Sequence, residues 1–151
     1  MSEKRPPPIP RFTVITLGVD NMRRAIAFYD ALGFERKMNA TGEAVAFFAT
    51  GGSVLALFPW SELADDASTP SEPRPAAFRG VTLAWNCNSR DEVDAVMAHA
   101  LTCGGELRRR ASETDYGGYR GYFADPDGHL WEVVMAPGIV VDANGLLSLD
   151  D

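Results

Sequence analysis

The sequence predicts an α+β fold in which two βαβββ modules form one concave, mostly antiparallel sheet of eight strands. The first observation behind this reading is the run from Gly118 to Val134. Here Tyr119-Arg120-Gly121-Tyr122-Phe123 and Leu130-Trp131-Glu132-Val133-Val134 flank Asp125-Pro126-Asp127-Gly128. A turn-starting Asp, a Pro with preset φ and a Gly free to take positive φ predict an antiparallel hairpin. The second observation is a weaker copy, Val45 to Phe58. It overlays Tyr119 to Val134 with Phe48-Ala49 on Phe123-Ala124 and a turn shorter by one residue, so Ala56 falls on Glu132. The third is that a strand-like and then a helix-like run precede each hairpin. A repeated unit of roughly 50 to 60 residues is an architectural signal, because each copy needs its neighbour to bury a sheet face.

Taken in order, residues 1–10 are polar and proline-rich and read as an extended N-terminal arm. The first module covers 11–60. Phe12 to Val19 is its first strand, and Asp20 or Asn21 caps a helix in which Met22, Ile26, Tyr29 and Leu32 recur before Gly33 ends it. Residues 61–77 mix acids and serines with Pro70, Pro73 and Pro75. They read as a linker, long enough to serve as a lid over a pocket. The second module covers 78–136. After a strand from Gly80 to Cys87, Ser89-Arg90-Asp91-Glu92 has the form of a capping box. Val93, Val96, Met97, Ala100 and Leu101 give the helix its apolar face, and Gly104-Gly105 stops it. The tail, 137–151, lies outside the repeat, and Ile139-Val140-Val141 and Leu146-Leu147 are expected to pack on the sheet or on a partner chain.

The order of these elements resembles the vicinal oxygen chelate superfamily from about Arg11 to Ala136. The resemblance rests on Val14-Ile15-Thr16-Leu17-Gly18-Val19 leading to Ala27-Phe28-Tyr29-Asp30-Ala31-Leu32-Gly33-Phe34, and on the Asp-Pro-Asp-Gly-His-Leu-Trp-Glu hairpin. That superfamily contains glyoxalase I, extradiol dioxygenases, fosfomycin-inactivating transferases and bleomycin-resistance proteins that bind a drug without transforming it. The resemblance therefore implies a fold more than a reaction. It also implies where a metal would sit: on the concave face, held by His or Gln and Glu from equivalent strands of each module, with open positions for bidentate oxygen substrates. Carried through the repeat, these positions are Val14, Ala56, Val81 and Glu132. A slip of one residue brings in Thr13 or Ile15, and Gly80 or Thr82. Only Glu132 is a metal ligand by nature, and one carboxylate does not hold an ion against water. His99 belongs to the second helix, and His129 lies an odd number of residues from Glu132, on the other sheet face. The expectation is no metal and no cofactor.

What survives is a cleft without a metal. Strand alternation places Leu130, Glu132 and Val134 with Val54, Ala56 and Phe58, and with Val14, Thr16, Val81, Leu83 and Trp85 of the first strands. Tyr119, Gly121 and Phe123 are expected across from that face. The expected ligand pocket is thus Val14, Thr16, Ala56, Phe58, Val81, Leu83, Trp85, Tyr119, Phe123 and Glu132, with apolar and aromatic walls around one acid. Glu132 is the candidate catalytic residue, as a general base or as a hydrogen-bonding partner. The alternative is that it pairs with a neighbouring Arg or Tyr and orders the core. Three functions fit. The leading one is a metal-independent binder of a small, partly aromatic molecule. A metal-dependent glyoxalase-type lyase or dioxygenase is the second. The third is a structural or interaction module whose cleft is filled by side chains such as Trp85 and Trp131.

Charge and cysteine usage bound the partners. With 21 acidic and 14 basic residues the chain carries −7, which disfavours nucleic acid as a partner; Arg108-Arg109-Arg110 reads as a solvated strand end or a hold on an anionic substrate. Cys87 and Cys103 are far apart without paired-ligand spacing, as suits reduced thiols in the cytoplasm. No long apolar span or secretory pattern opens the chain, so no membrane is expected. Exposed sheet edges predict a twofold homodimer, with the cleft within one chain or between two.

Overall fold

The computed structural model describes residues 3–149; Met1-Ser2 of the expected arm and Asp150-Asp151 of the expected tail lie outside the described residues. In the first module β1 (Val14–Val19), α1 (Met22–Leu32), β2 (Glu35–Lys37), β3 (Ala46–Ala49) and β4 (Val54–Pro59) follow one another. The second repeats the order: β5 (Thr82–Asn86), α3 (Arg90–Thr102), β6 (Glu106–Glu113), β7 (Tyr119–Ala124) and β8 (Leu130–Met135). Between them a short helix, α2 (Trp60–Asp66), occupies the start of the segment expected to be linker. After them β9 (Ile139–Val141) and β10 (Leu147–Leu149) form a small antiparallel hairpin in the tail.

The eight expected strands are divided between two hydrogen-bonded sheets of four, ordered β1-β4-β3-β2 and β5-β8-β7-β6. A helix crossover makes each first strand parallel to its module's last, and every other pairing within these two sheets is antiparallel. Each helix begins where its cap predicts. The Asn21 side chain accepts from the Arg24 N–H, and Ser89 Oγ accepts from the Glu92 N–H at 3.1 Å. Glu92 completes the reciprocal half one residue off the expected box, accepting from the Asn88 N–H at 3.0 Å. Gly33 closes α1 in the left-handed region.

One face of each sheet turns to a shared core, and α1 and α3 supply the rest of it. Phe28, Tyr29, Phe48, Phe123 and Trp131 from both modules belong to a single buried cluster. Phe123 and Trp131 stack with centroids 6.2 Å apart and planes 4° from parallel.

The Asp125–Gly128 turn joins the modules as well as its own strands. Gly128 takes φ +83°, as the turn requires, and its N–H donates to the Asp125 carbonyl. Asp125 Oδ1 accepts the N–H groups of Asp127 and His129, and its Oδ2 accepts the Tyr29 hydroxyl of α1 at 2.6 Å. Asp127 Oδ1 accepts the Asp20 N–H at 2.8 Å. Burial raises the Asp127 carboxyl above its ordinary range, and the Asp20 N–H acts against that rise. His129 Nε2 lies 2.7 Å from the Gly18 carbonyl, which only accepts, so Nε2 carries the proton and Nδ1 is left as an acceptor. The motif most legible in the sequence is therefore the joint between the modules.

Candidate functional site

The sheet registers decide which residues share a face. In the first module Lys37, Phe47, Ala56 and Thr16 form one cross-strand row. The equivalent row of the second is Arg109, Tyr122, Glu132 and Ala84. Val14 pairs with Val54 and Thr82 with Leu130, so the counterpart of Val14 is Thr82 and not Val81. This moves the whole of β5 by one residue relative to the expectation, and a shift of one exchanges the faces. Leu83 and Trp85 pair with Trp131 and Val133, on the face opposite Glu132. Tyr119 and Phe123 lie on that opposite face too, paired with Met135 and Trp131. Trp85, Tyr119 and Glu132 therefore do not converge.

Glu132 stands on the outer face, away from the helices. Its Oε2 accepts the Tyr122 hydroxyl at 2.8 Å, and Tyr122 is the residue directly across the hairpin from it. Burial, then this bond, raises the phenol above its usual range. Arg120 follows in the next row and donates to Ser112 Oγ at 3.1 Å. The same faces of the two sheets thus differ: on the first the charges are confined to Glu35 and Lys37 of its edge strand, beside Val14, Thr16, Ala56 and Phe58, whereas the second carries Arg109, Arg120 and Glu132 with Tyr122.

The register also tests the metal set implied by the resemblance. The four positions hold Val14, Ala56, Thr82 and Glu132, one carboxylate and one hydroxyl, and this does not fit a divalent metal that needs three or more donors. Among the described residues no group of three or more His, Cys, Asp or Glu is placed to hold an ion. His99 Nε2 instead donates to the Ala31 carbonyl at 2.9 Å, bridging α3 to α1.

The concavity of ligand size lies between the modules. A cleft of about 850 Å³ runs where Ile15, Phe34 and Leu55 of the first module face Leu83, Trp85 and Trp131 of the second. The Phe34 and Trp85 rings are 5.4 Å apart, and Trp85 meets Trp131 edge-on at 6.4 Å. Phe12 and Val81, 75% and 62% exposed, extend this apolar surface to solvent. Of the ten expected pocket residues, Val81, Leu83 and Trp85 line the cleft; Val14, Thr16, Ala56, Phe58 and Glu132 do not, although Val54, Thr82 and Ala84 of their sheet face do. Phe123 is wholly buried in the core, and Tyr119 donates to Asp94 Oδ1 at 2.6 Å.

The tail hairpin supplies a further wall through Val141, Leu146 and Leu147, which sequence reasoning left without a role at the site. Two contacts hold it. The Asn88 carboxamide spans Val141, donating to its carbonyl at 2.8 Å and accepting its N–H at 3.0 Å. The hairpin's own turn rests on Gly51, whose φ is +98° and where a Cβ would come within 2.8 Å of the Asn144 carbonyl. Phe34 and Trp131 were recognisable as large apolar residues, but nothing local in the sequence distinguishes a cleft wall from the core.

Comparison with known proteins places this geometry in context. Residues 11–133 match the family model of the Glyoxalase/Bleomycin resistance protein/Dioxygenase superfamily. The metallothiol transferase FosB of Shouchella clausii is 32% identical over 122 residues, 79% of this chain and 75% of that protein. Among solved structures, a glyoxalase-related enzyme from Fulvimarina pelagi superposes with a TM-score of 0.83 at 30% identity, over 95% of this chain and 100% of that one. A lactoylglutathione lyase from Agrobacterium tumefaciens superposes with a TM-score of 0.64 at 25% identity, over 85% of this chain and 95% of that one.

Proposed function

Because the chain belongs to the glyoxalase/bleomycin resistance protein/dioxygenase superfamily, we propose that it binds a small, partly aromatic molecule, without a metal, in the cleft between its modules. The observation that carries this reading is the cleft itself. Its volume of about 850 Å³ suits a drug-sized ligand, and Phe12, Phe34, Trp85 and Trp131 wall it, with Thr50, Ser53, Thr82 and Asn86 as the few polar groups. The donor set at the metal positions supports the metal-independent part. In this reading Glu132 lies outside the ligand cleft, and with Tyr122 it orders the outer sheet face.

Screening a panel of aromatic antibiotics and catechols by thermal shift is expected to yield compounds that stabilise the protein, by about 2.7 kcal/mol at a hundredfold excess over Kd. Trp85→Ala removes wall area and is expected to weaken such binding roughly tenfold. A panel with no stabilising member, or affinity unchanged in Trp85→Ala, would sink the reading. Turnover of a hemithioacetal or catechol, lost in Glu132→Gln, would instead support an enzyme working at the outer face. That second reading is favoured by the Tyr122 hydroxyl poised on Glu132.

We further propose a homodimer in the cytoplasm. β1 and β5 are each one of the two edge strands of their sheets, and Phe12, Val14 and Val81 stand exposed on or beside them. Light scattering is expected to give twice the 16.4 kDa of one chain, and a monomer at high micromolar concentration would contradict it. Burial pushes the Cys87 thiol up to about 12, leaving it inert, and neither cysteine is in a disulfide, which suits a reducing compartment. Among the described residues no helix is long and apolar enough to cross a membrane.

A further inference from the structure

A second, smaller cavity of about 220 Å³ lies under the inter-module segment, separate from the proposed ligand cleft except for the shared residues Val81, just before β5, and Leu83 of β5. Pro75 to Arg79 pass along one side of it; Leu17 of the first module and Leu83 and Leu130 of the second give it an apolar lining. Its charged side chains are Arg79 and Arg108, and no acid lines it, although the chain has 21 acidic and 14 basic residues. Two guanidiniums beside an apolar pocket with no carboxylate in its lining describe a site for an anion.

The two guanidiniums differ in how they are held. Arg79 is fixed from behind: its carbon lies 4.9 Å from the centre of the Trp60 ring, and Nη2 donates to the Asp127 carbonyl at 2.9 Å. Nη1 lies 3.4 Å from His129 Nδ1, which the bond from Nε2 to Gly18 leaves as an acceptor. Two of its five N–H groups are thereby used and three are left for a ligand, in a side chain already immobilised. Arg108 reaches the cavity from β6. Its Nε pairs with Glu106 at 3.3 Å, and both terminal nitrogens are left over from that pair. A carboxylate takes two parallel N–H bonds from such a fork, and the leucines suit a short apolar body behind it.

We propose that this cavity is a binding site for a small monocarboxylate with a single-ring or short-chain body, held by Arg79 and Arg108. Because residues of both modules and the inter-module segment line it, a bound carboxylate fastens Pro75–Arg79 against the module joint.

Titrating benzoate into the ¹⁵N-labelled full chain tests this, with benzamide as the neutral match of the same shape. Benzoate is expected to shift the amides of Ala76–Arg79 and Gly128–Leu130 saturably, and benzamide to bind at least tenfold more weakly. Arg108→Gln is expected to reduce benzoate affinity about tenfold while its spectrum otherwise overlays that of the parent. Arg79→Gln should do the same but also loosens the Trp60 stack, so the half-exposed Arg108 is the deciding position. Any of four results would overturn the proposal: no saturable shift, equal binding of benzamide, unchanged affinity in Arg108→Gln, or shifts centred on Phe34 and Trp85. The last would place benzoate in the larger cleft and leave the reading of that cleft intact.

Discussion

Tyr29→Phe is expected to lower the stability of the chain by about 2–3 kcal/mol, although it removes a single oxygen and leaves the ring in place. That hydroxyl is fully buried between three elements. It donates to Asp125 Oδ2 at 2.6 Å and accepts the Trp131 Nε1–H at 3.1 Å. Burial first, then the charge and the bond of Asp125, hold the phenol well above its usual range, so it remains a protonated donor throughout ordinary conditions. The variant strands one carboxylate oxygen and one indole N–H without water to replace the lost partner. An unsatisfied buried group costs its desolvation, which exceeds the net worth of the bond itself. Urea denaturation should show a lower midpoint at unchanged slope. A loss below about 0.5 kcal/mol would mean that the modules do not depend on this joint.

How much of this was legible in the sequence follows from the range of each signal. The hairpin, both helices and their caps rest on residues within a few positions of one another, and they were readable as such. Strand parity was not. Gly80 to Trp85 is apolar at nearly every position, so alternation alone does not tell which face Val81 takes, and the choice made put Leu83 and Trp85 beside Glu132. The caps held the missing measure: Val14 lies seven residues before the N-cap Asn21, and seven before the N-cap Ser89 is Thr82. Counting back from the caps gives the register that the pairing of Thr82 with Leu130 shows. The division into two sheets has no local signature, because whether β1 and β5 pair depends on how the modules pack. Alternation groups Leu83 and Trp85 with Glu132, whereas the strand pairing puts them on the opposite face, so Glu132 is not among the residues lining the proposed cleft. The short helix Trp60–Asp66 was hidden by the prolines that follow it.

Trp131 is where the module core and the cleft meet, and Trp131→Ala is expected to have the largest effect on stability, about 3–5 kcal/mol. Its ring stacks on Phe123 and lies within 6.1 Å of Tyr29 and 5.8 Å of Phe34, so deletion leaves a hole bounded by residues of both modules. Against a total stability of about 5–15 kcal/mol, this brings the chain close to unfolding at ordinary temperature. Trp131→Phe is the informative companion. It keeps a ring for Phe123 to stack on and deletes the indole N–H, so its cost should be about 1–2 kcal/mol. The same N–H ends on the Tyr29 hydroxyl, so Tyr29→Phe and Trp131→Phe remove opposite ends of one bond. The double variant should therefore cost less than the sum of the two single ones, by about 0.5–1 kcal/mol. Strict additivity would show that this bond carries no coupling between the modules. A coupling of the expected sign would locate part of the modules' cohesion in the chain of hydrogen bonds from Trp131 through Tyr29 to Asp125.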